Sequence, residues 1–262
     1  MNRLSKLFAD KPRDVLNVYF TAGYPALDST VPVITALAES GADLIEIGMP
    51  YSDPMADGET IQRSSMQALS NGMTLKLLFE QIAEARRHTE VPLVLMGYYN
   101  QLMQYGPDRF VDKAAEAGVD GLILPDLPAY EYQRDFRDIA ERAGLEISFL
   151  VTPQTTDERI REIAATSTGF MYVVSSSSIT GGSAQISDRQ RAYFDRIAAL
   201  GLDNPKLIGF GISDARTFRT ACEYFNGAII GSAFIRALHG QDERVAEATR
   251  EFVHGILAPV TA

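Results

Sequence analysis

Cysteine is nearly absent from the sequence. Cys222 is the only one in 262 residues, so no internal disulfide can form, and a reducing, cytoplasmic setting is expected. Basic charge is also scarce: 24 Lys and Arg stand against 34 Asp and Glu, a formal net charge of −10. That balance argues against nucleic acid or an anionic membrane as partner, since both need a basic face. It leaves phosphate binding open, because backbone N–H groups can hold an anion locally. No apolar run approaches the ~18 residues of a membrane span. The opening MNRLSKLFADK lacks the apolar stretch of a signal peptide; Leu4, Leu7 and Phe8 recur there at helical spacing and predict a short amphipathic helix. No Gly-x-Gly-x-x-Gly follows the first strand, and no linker, low-complexity tract or charge block divides the chain.

Apolar material is ample, at 46% of residues. Short β-rich runs alternate with longer helix-like stretches. Eight strands are predicted, at 16–20, 43–48, 92–97, 120–125, 146–151, 170–174, 206–210 and 227–231. Helical periodicity fills the intervals, including 129–143, 188–200 and 214–225, and Cys222 falls in the last as a small core residue. Gly41, Gly118 and Gly144 stand where a helix would turn into the next strand. Alternating β and α units with short connections imply a parallel sheet; eight of them favour closure over the alternative, an open doubly wound sheet, which the missing Gly-x-Gly-x-x-Gly weakens. The expected fold is α/β, a (β/α)₈ TIM barrel spanning residues 1–262 as one domain, with an extra N-terminal helix.

In such barrels the chemistry sits at the C-terminal ends of the strands. Along the second strand Leu44, Glu46 and Gly48 share one face, and Ile45 and Ile47 the other. If the isoleucines pack on the surrounding helices, Glu46 points into the barrel, where lost solvation raises its proton affinity toward the range useful for acid–base work. A buried Glu held by a structural hydrogen bond would read the same way. The loop that follows carries Asp53 and Asp57. Either can cap a helix or face solvent. Asp57, eleven residues after Glu46, can also fold back over the barrel mouth. Two carboxylates at one pocket can then divide the labour, one shuttling protons and one staying ionised.

Three glycine-containing segments, Thr180-Gly-Gly182, Phe210-Gly211 and Gly231-Ser232, stand at the ends of the sixth, seventh and eighth predicted strands. Glycine lets backbone approach an anion, and Ser232 opens a predicted helix whose free N–H groups favour phosphate. Any one of these glycines alone is an ordinary turn; together they predict a phosphate site.

The segment Glu46-Ile-Gly-Met-Pro-Tyr-Ser-Asp-Pro-Met-Ala-Asp-Gly58 resembles the signature of the tryptophan synthase alpha chains, E-[LI]-G-x-P-[FY]-S-D-P-x-A-D-G. Tyr19-Phe-Thr-Ala-Gly-Tyr-Pro25, Met96-Gly-Tyr-Tyr-Asn100 with Gly106, Leu124-Pro-Asp-Leu-Pro128, Ile179-Thr-Gly181, Gly209-Phe-Gly-Ile-Ser213 and Gly231-Ser232 resemble the family's other strand ends, in order along the chain. The resemblance implies a lyase that cleaves indole-3-glycerol phosphate to indole and glyceraldehyde 3-phosphate by a retro-aldol reaction. Glu46 would be the proton shuttle, and Asp57 would stabilise positive charge at the ring N–H. Tyr19, Tyr98 and Tyr172 would lie in or beside the substrate pocket, with Thr180, Gly181, Gly211, Gly231 and Ser232 at the phosphate. No metal or organic cofactor is implied. The mouth rim, with Pro50, Asp53, Pro54, Asn100 and Asp126, would dock a β subunit, a pyridoxal-phosphate enzyme, in an α₂β₂ complex; turn chemistry also accounts for these residue types.

Rival chemistries lack their residues. A Schiff-base aldolase needs Lys at a strand's C-terminal end, and only Lys206 adjoins a strand, at its start. A metal-dependent epimerase needs inward His, whereas His88, His239 and His254 fall on helices or outer turns. A histidine-pathway isomerase with paired Asp on strands one and five finds Phe20-Thr21 and Val151-Thr152 there instead. The remaining alternative is a non-catalytic barrel that only binds and activates a partner. The chain departs from the family at Glu59, where many members carry Pro, in the serine-rich stretch Ser175–Ser178, and in the milder Tyr for Phe exchanges at Tyr19 and Tyr51.

Overall fold

The computed structural model describes residues 1–175, 186–209 and 211–260. Its strands are β1 (Val15–Thr21), β2 (Leu44–Gly48), β3 (Leu93–Met96), β4 (Gly121–Ile123), β5 (Glu146–Ser148), β6 (Leu150–Val151), β7 (Met171–Val174), β8 (Lys206–Gly209) and β9 (Gly227–Ile230). All pair in parallel, in the order β5-β4-β3-β2-β1-β9-β8-β7-β6. The two ends of that order are neighbours in the chain, separated only by Phe149. β5 pairs with β4 and β6 with β7, so the run 146–151 passes from one neighbour to the next and joins the two ends of the sheet. The fifth predicted strand is therefore split, and its hand-over is bridged by Tyr172 N–H donating to Phe149 O at 2.9 Å. Every residue of β1 and β2 is buried, as strands enclosed on both faces require.

Helices occupy the expected intervals, and Gly41, Gly118 and Gly144 take left-handed φ of 100°, 90° and 71° at their ends. Two differences have local causes. The stretch 129–143 is not one α-helix: a π-helical turn at Tyr132–Phe136 interrupts it, placing Tyr132 and Phe136 both in the core. A short helix, Tyr99–Tyr105, begins within the motif after β3, where Gln101 Oε1 accepts from Tyr98 N–H at 3.0 Å. No helix among the described residues is long and apolar enough to cross a membrane.

The helix Arg3–Asp10 closes the N-terminal end of the barrel. Leu4 is fully buried, and its methyl lies against Gly121 and Gly169, where a Cβ would stand 3.3 and 3.2 Å from it. Asn2 caps the helix by accepting from Leu4 N–H and donates to Asp120 O and Gly144 O. Beneath it Asp120 accepts from Arg86 at 2.9 Å and from Leu93 N–H at 2.9 Å. Burial outweighs attraction for both ions, pushing Asp120 up and Arg86 down. The pair therefore costs free energy to bury but costs more to break. Asp120→Ala should leave Arg86 without its counter-ion and Leu93 N–H without an acceptor, losing about 3–5 kcal/mol. A matching fall in the urea midpoint would confirm it; a fall below about 1 kcal/mol would remove Asp120 as a floor anchor.

Candidate active site

β1 and β2 run in register, with Tyr19 opposite Glu46. The pleat that sends Ile45 and Ile47 outward turns Glu46 inward, where it is fully buried. Asn17, two residues before Tyr19 and on its face, donates from Nδ2 to Glu46 Oε2 at 2.9 Å. Oε1 has no hydrogen-bond partner among the described residues. Burial pushes the Glu46 carboxyl up to about 8, the Asn17 bond opposes the rise, and the charge of Asp57 adds to it.

Asp57 lies on the loop after β2, just before the helix Glu59–Ser70. It is half-buried, and its Oδ2 accepts from the Tyr98 hydroxyl at 3.1 Å. That hydroxyl accepts from Ala56 N–H at 2.9 Å, so one tyrosine fixes both the loop and its carboxylate. Burial raises the Asp57 pKa and the Tyr98 bond holds it down. Tyr51 stacks on Tyr98 with ring centres 5.2 Å apart, and Asn100 donates to the Tyr51 hydroxyl at 2.9 Å. Glu59 stays clear of this group: it is exposed and pairs with Arg63.

Tyr19 and Tyr172 are both buried on the inner wall. A Cβ on Gly48 would collide with the Tyr19 hydroxyl, and one on Gly209 with that of Tyr172. These two motif glycines make room for the rings. Burial pushes both phenols well above their usual value, so they remain neutral donors.

A cavity of about 710 Å³ opens on these groups. Glu46, Asp57, Tyr19 and Tyr172 line it together with Gly211, Gly231 and Ser232. The last three come from the β8 and β9 ends; Gly211 has φ of 83°, and Ser232 begins the helix Ser232–Leu238. The structure thus brings together seven of the expected catalytic and substrate residues. Thr180 and Gly181 lie outside the described residues. Tyr98 does not line the cavity and instead stands behind Asp57.

The expected rim residues differ among themselves. Asp53 and Asn100 are exposed, and Pro54 is half-buried. Pro50 is buried, with its carbonyl accepting from Gln101 at 3.0 Å, so its ring is withdrawn from the outer surface. Asp126 is half-buried and accepts from Tyr99 N–H at 2.8 Å, anchoring the helix Tyr99–Tyr105.

Sequence reasoning missed several wall residues. Ile61, Met96 and Ile229 supply apolar surface suited to an aromatic ring, and Arg236 is the only cation among the described lining residues. Arg236 was legible in principle, because it follows Ser232 by one helical turn and so shares its face. Cys222 is buried in its helix, as expected of a core residue. Among the described residues no group of three or more His, Cys, Asp or Glu is placed to hold a metal ion.

Known proteins match this arrangement over nearly the whole chain. The family model described as tryptophan synthase alpha chain matches residues 6–257. The tryptophan synthase alpha chain of Bacteroides fragilis is 50% identical over 250 residues, 95% of each chain. That of Flavobacterium johnsoniae is 53% identical over 239 residues, covering 91% of this chain and 94% of the relative. Among solved structures, the alpha chain of Legionella pneumophila superposes with a TM-score of 0.87 at 32% identity, covering 98% of this chain and 96% of that one. A chain of the tryptophan synthase complex of Pyrococcus furiosus gives 0.85 at 35% identity, covering 94% and 98%. With a parallel barrel, two carboxylates at its mouth and these relatives at such coverage, the chain belongs to the tryptophan synthase alpha chain family, lyases that cleave indole-3-glycerol phosphate in tryptophan biosynthesis.

Proposed function

We propose that Glu46 and Asp57 are the acid–base pair with which this chain cleaves indole-3-glycerol phosphate to indole and glyceraldehyde 3-phosphate. The observation that carries the assignment is the buried Glu46 carboxyl, pushed up to about 8 and facing a cavity that it shares with Asp57. At neutral pH Glu46 is mostly protonated, the form a general acid needs. It gives its proton to indole C3, which makes the ring an electron-poor indolenine. The resulting carboxylate takes the proton of the 3′ hydroxyl. The C–C bond breaks, its electron pair returns to the ring, and the hydroxyl-bearing carbon becomes the aldehyde. Asp57, ionised and held by Tyr98, stabilises the positive charge that develops at the ring N–H.

The phosphate end is assigned to Gly211, Gly231 and Ser232, with Thr180 and Gly181 completing it by family pattern. Arg236 adds a cation on the same wall. Solved relatives from Pyrococcus furiosus are described as an α₂β₂ complex. By that analogy a β subunit docks over this mouth, with Asp53, Pro54 and Asn100 as the accessible rim and Pro50 and Asp126 supporting it from beneath. Docking there would hold apolar indole inside and order the loops by population shift.

Glu46→Gln should lower cleavage at least ~100-fold while leaving the fold intact. Single-turnover indole release with circular dichroism tests this, and more than a tenth of the activity retained would sink the assignment. Wild-type activity should fall as pH rises through about 8, since the acid form is lost. Stability follows the same sign. A carboxyl raised on folding contributes fully below its unfolded value near 4.5, and that contribution is lost as pH climbs to about 8, so Glu46→Gln should gain on the wild type over that window. Asp57→Asn should cripple turnover, with Asp57→Glu retaining more, because the role asks for charge rather than a moving proton. Equal losses would favour a strictly positional role.

Gly211→Val and Ser232→Leu should weaken affinity for glycerol phosphate far more than they slow bound-state chemistry. Unchanged titration curves in both variants would move the phosphate elsewhere. At the rim, Asp53→Ala and Asn100→Ala should reduce stimulation by added β subunit more than basal turnover. Full stimulation at parental concentrations would place the coupling surface off this rim.

A further inference from the structure

Asn17 is a polar residue at a fully buried position. It lies mid-strand in β1, paired with Leu44 of β2 and Ile229 of β9, and is fully buried. A buried amide without partners is costly. Among the described residues its only side-chain hydrogen bond is the one to Glu46 Oε2, and its own Oδ1 is unpartnered. An amide is unusual in offering a donor and an acceptor on one flat group. Oε2 of Glu46 is an acceptor as carboxylate and, with the acid proton on the free Oε1, an acceptor again as the carbonyl oxygen. Asn17 Nδ2 therefore donates to Oε2 in both states without rotating, and more strongly to the carboxylate.

We propose that Asn17 is a positioning residue that fixes one oxygen of the Glu46 carboxyl in both of its protonation states, leaving Oε1 to exchange protons with substrate. The inference rests on Glu46 being the proton shuttle. The other titratable groups facing Glu46 are Asp57 from the loop after β2, Tyr19 on β1 and Tyr172 on β7. The two phenols remain neutral and Asp57 repels a Glu46 carboxylate, so Asn17 is the one group among these that favours the ionised form.

The test is the pH profile of indole release by full-length Asn17→Leu and Asn17→Asp, alongside carbon-13 NMR titration of the Glu46 carboxyl in the same proteins. Loss of a hydrogen bond to a charged group should move the basic limb up by about one to two pH units in Asn17→Leu. The move should be at least as large in Asn17→Asp, where a second carboxyl faces Glu46. Loss of position should lower kcat by about 10–100-fold with KM little changed. Asn17→Val, which suits a strand, repeats the test where leucine does not fold. A limb and a carboxyl titration unmoved in folded variants would overturn the role of Asn17 while an inactive Glu46→Gln kept the shuttle assignment. An active Glu46→Gln would overturn both.

Discussion

A carboxyl on the inner wall of a closed parallel barrel is far from water, and much of this site can be read as the means of keeping one there. Burial alone would leave Glu46 neutral at every useful pH, an acid unable to return as a base. Asn17 opposes that tendency from one strand and Asp57 reinforces it from the loop, with a balance near 8. The tyrosines follow from the same constraint. Tyr19 and Tyr172 fill the wall beside Glu46 without bringing charge, and Gly48 and Gly209 are small so that those rings fit.

The two ends of the barrel handle buried charge differently. At the N-terminal end, Asp120 and Arg86 face each other at 2.9 Å, with Arg3 and backbone groups taking their remaining bonds. At the C-terminal end, Glu46 keeps one oxygen unbonded and no cation pairs with it among the described residues. Satisfied charge serves cohesion and unsatisfied charge serves chemistry, the division of faces expected of this architecture.

Much of this was legible because its signals are local. Period-two alternation placed Glu46 inward, and glycines at helix ends marked the αβ turns. What escaped depends on partners distant in sequence. Tyr98 read as lying in or beside the pocket, but that its hydroxyl holds Asp57 across 41 positions was not readable. Pro50 and Asp126 read as rim, and their bonds to Gln101 and to the Tyr99 N–H, which hold them from within, were not readable. The split of the fifth strand at Phe149 reflects ring closure, a property of the whole sheet that no window of sequence contains. Arg236 and Asn17 belong to a third kind. Their spacing from Ser232 and Tyr19 was readable, but only a located cavity and a located carboxylate gave that spacing a meaning.

The chain of contacts behind Asp57 also bears on how an outside partner reaches the chemistry. Asn100 is exposed at the rim and donates to Tyr51, which stacks on Tyr98, which donates to Asp57. Each link joins the loop after β2 to the loop after β3, so neither can shift without the other. A partner that touched Asn100 would therefore press on the group that holds Asp57. Among the described residues the one side-chain hydrogen bond of Glu46 goes to Asn17, itself buried inside β1, and not to the rim. A docked subunit would act mainly on the electrostatic partner and leave the proton carrier as the barrel sets it, so activation by docking should alter the charge field at the ring nitrogen more than the proton affinity of Glu46.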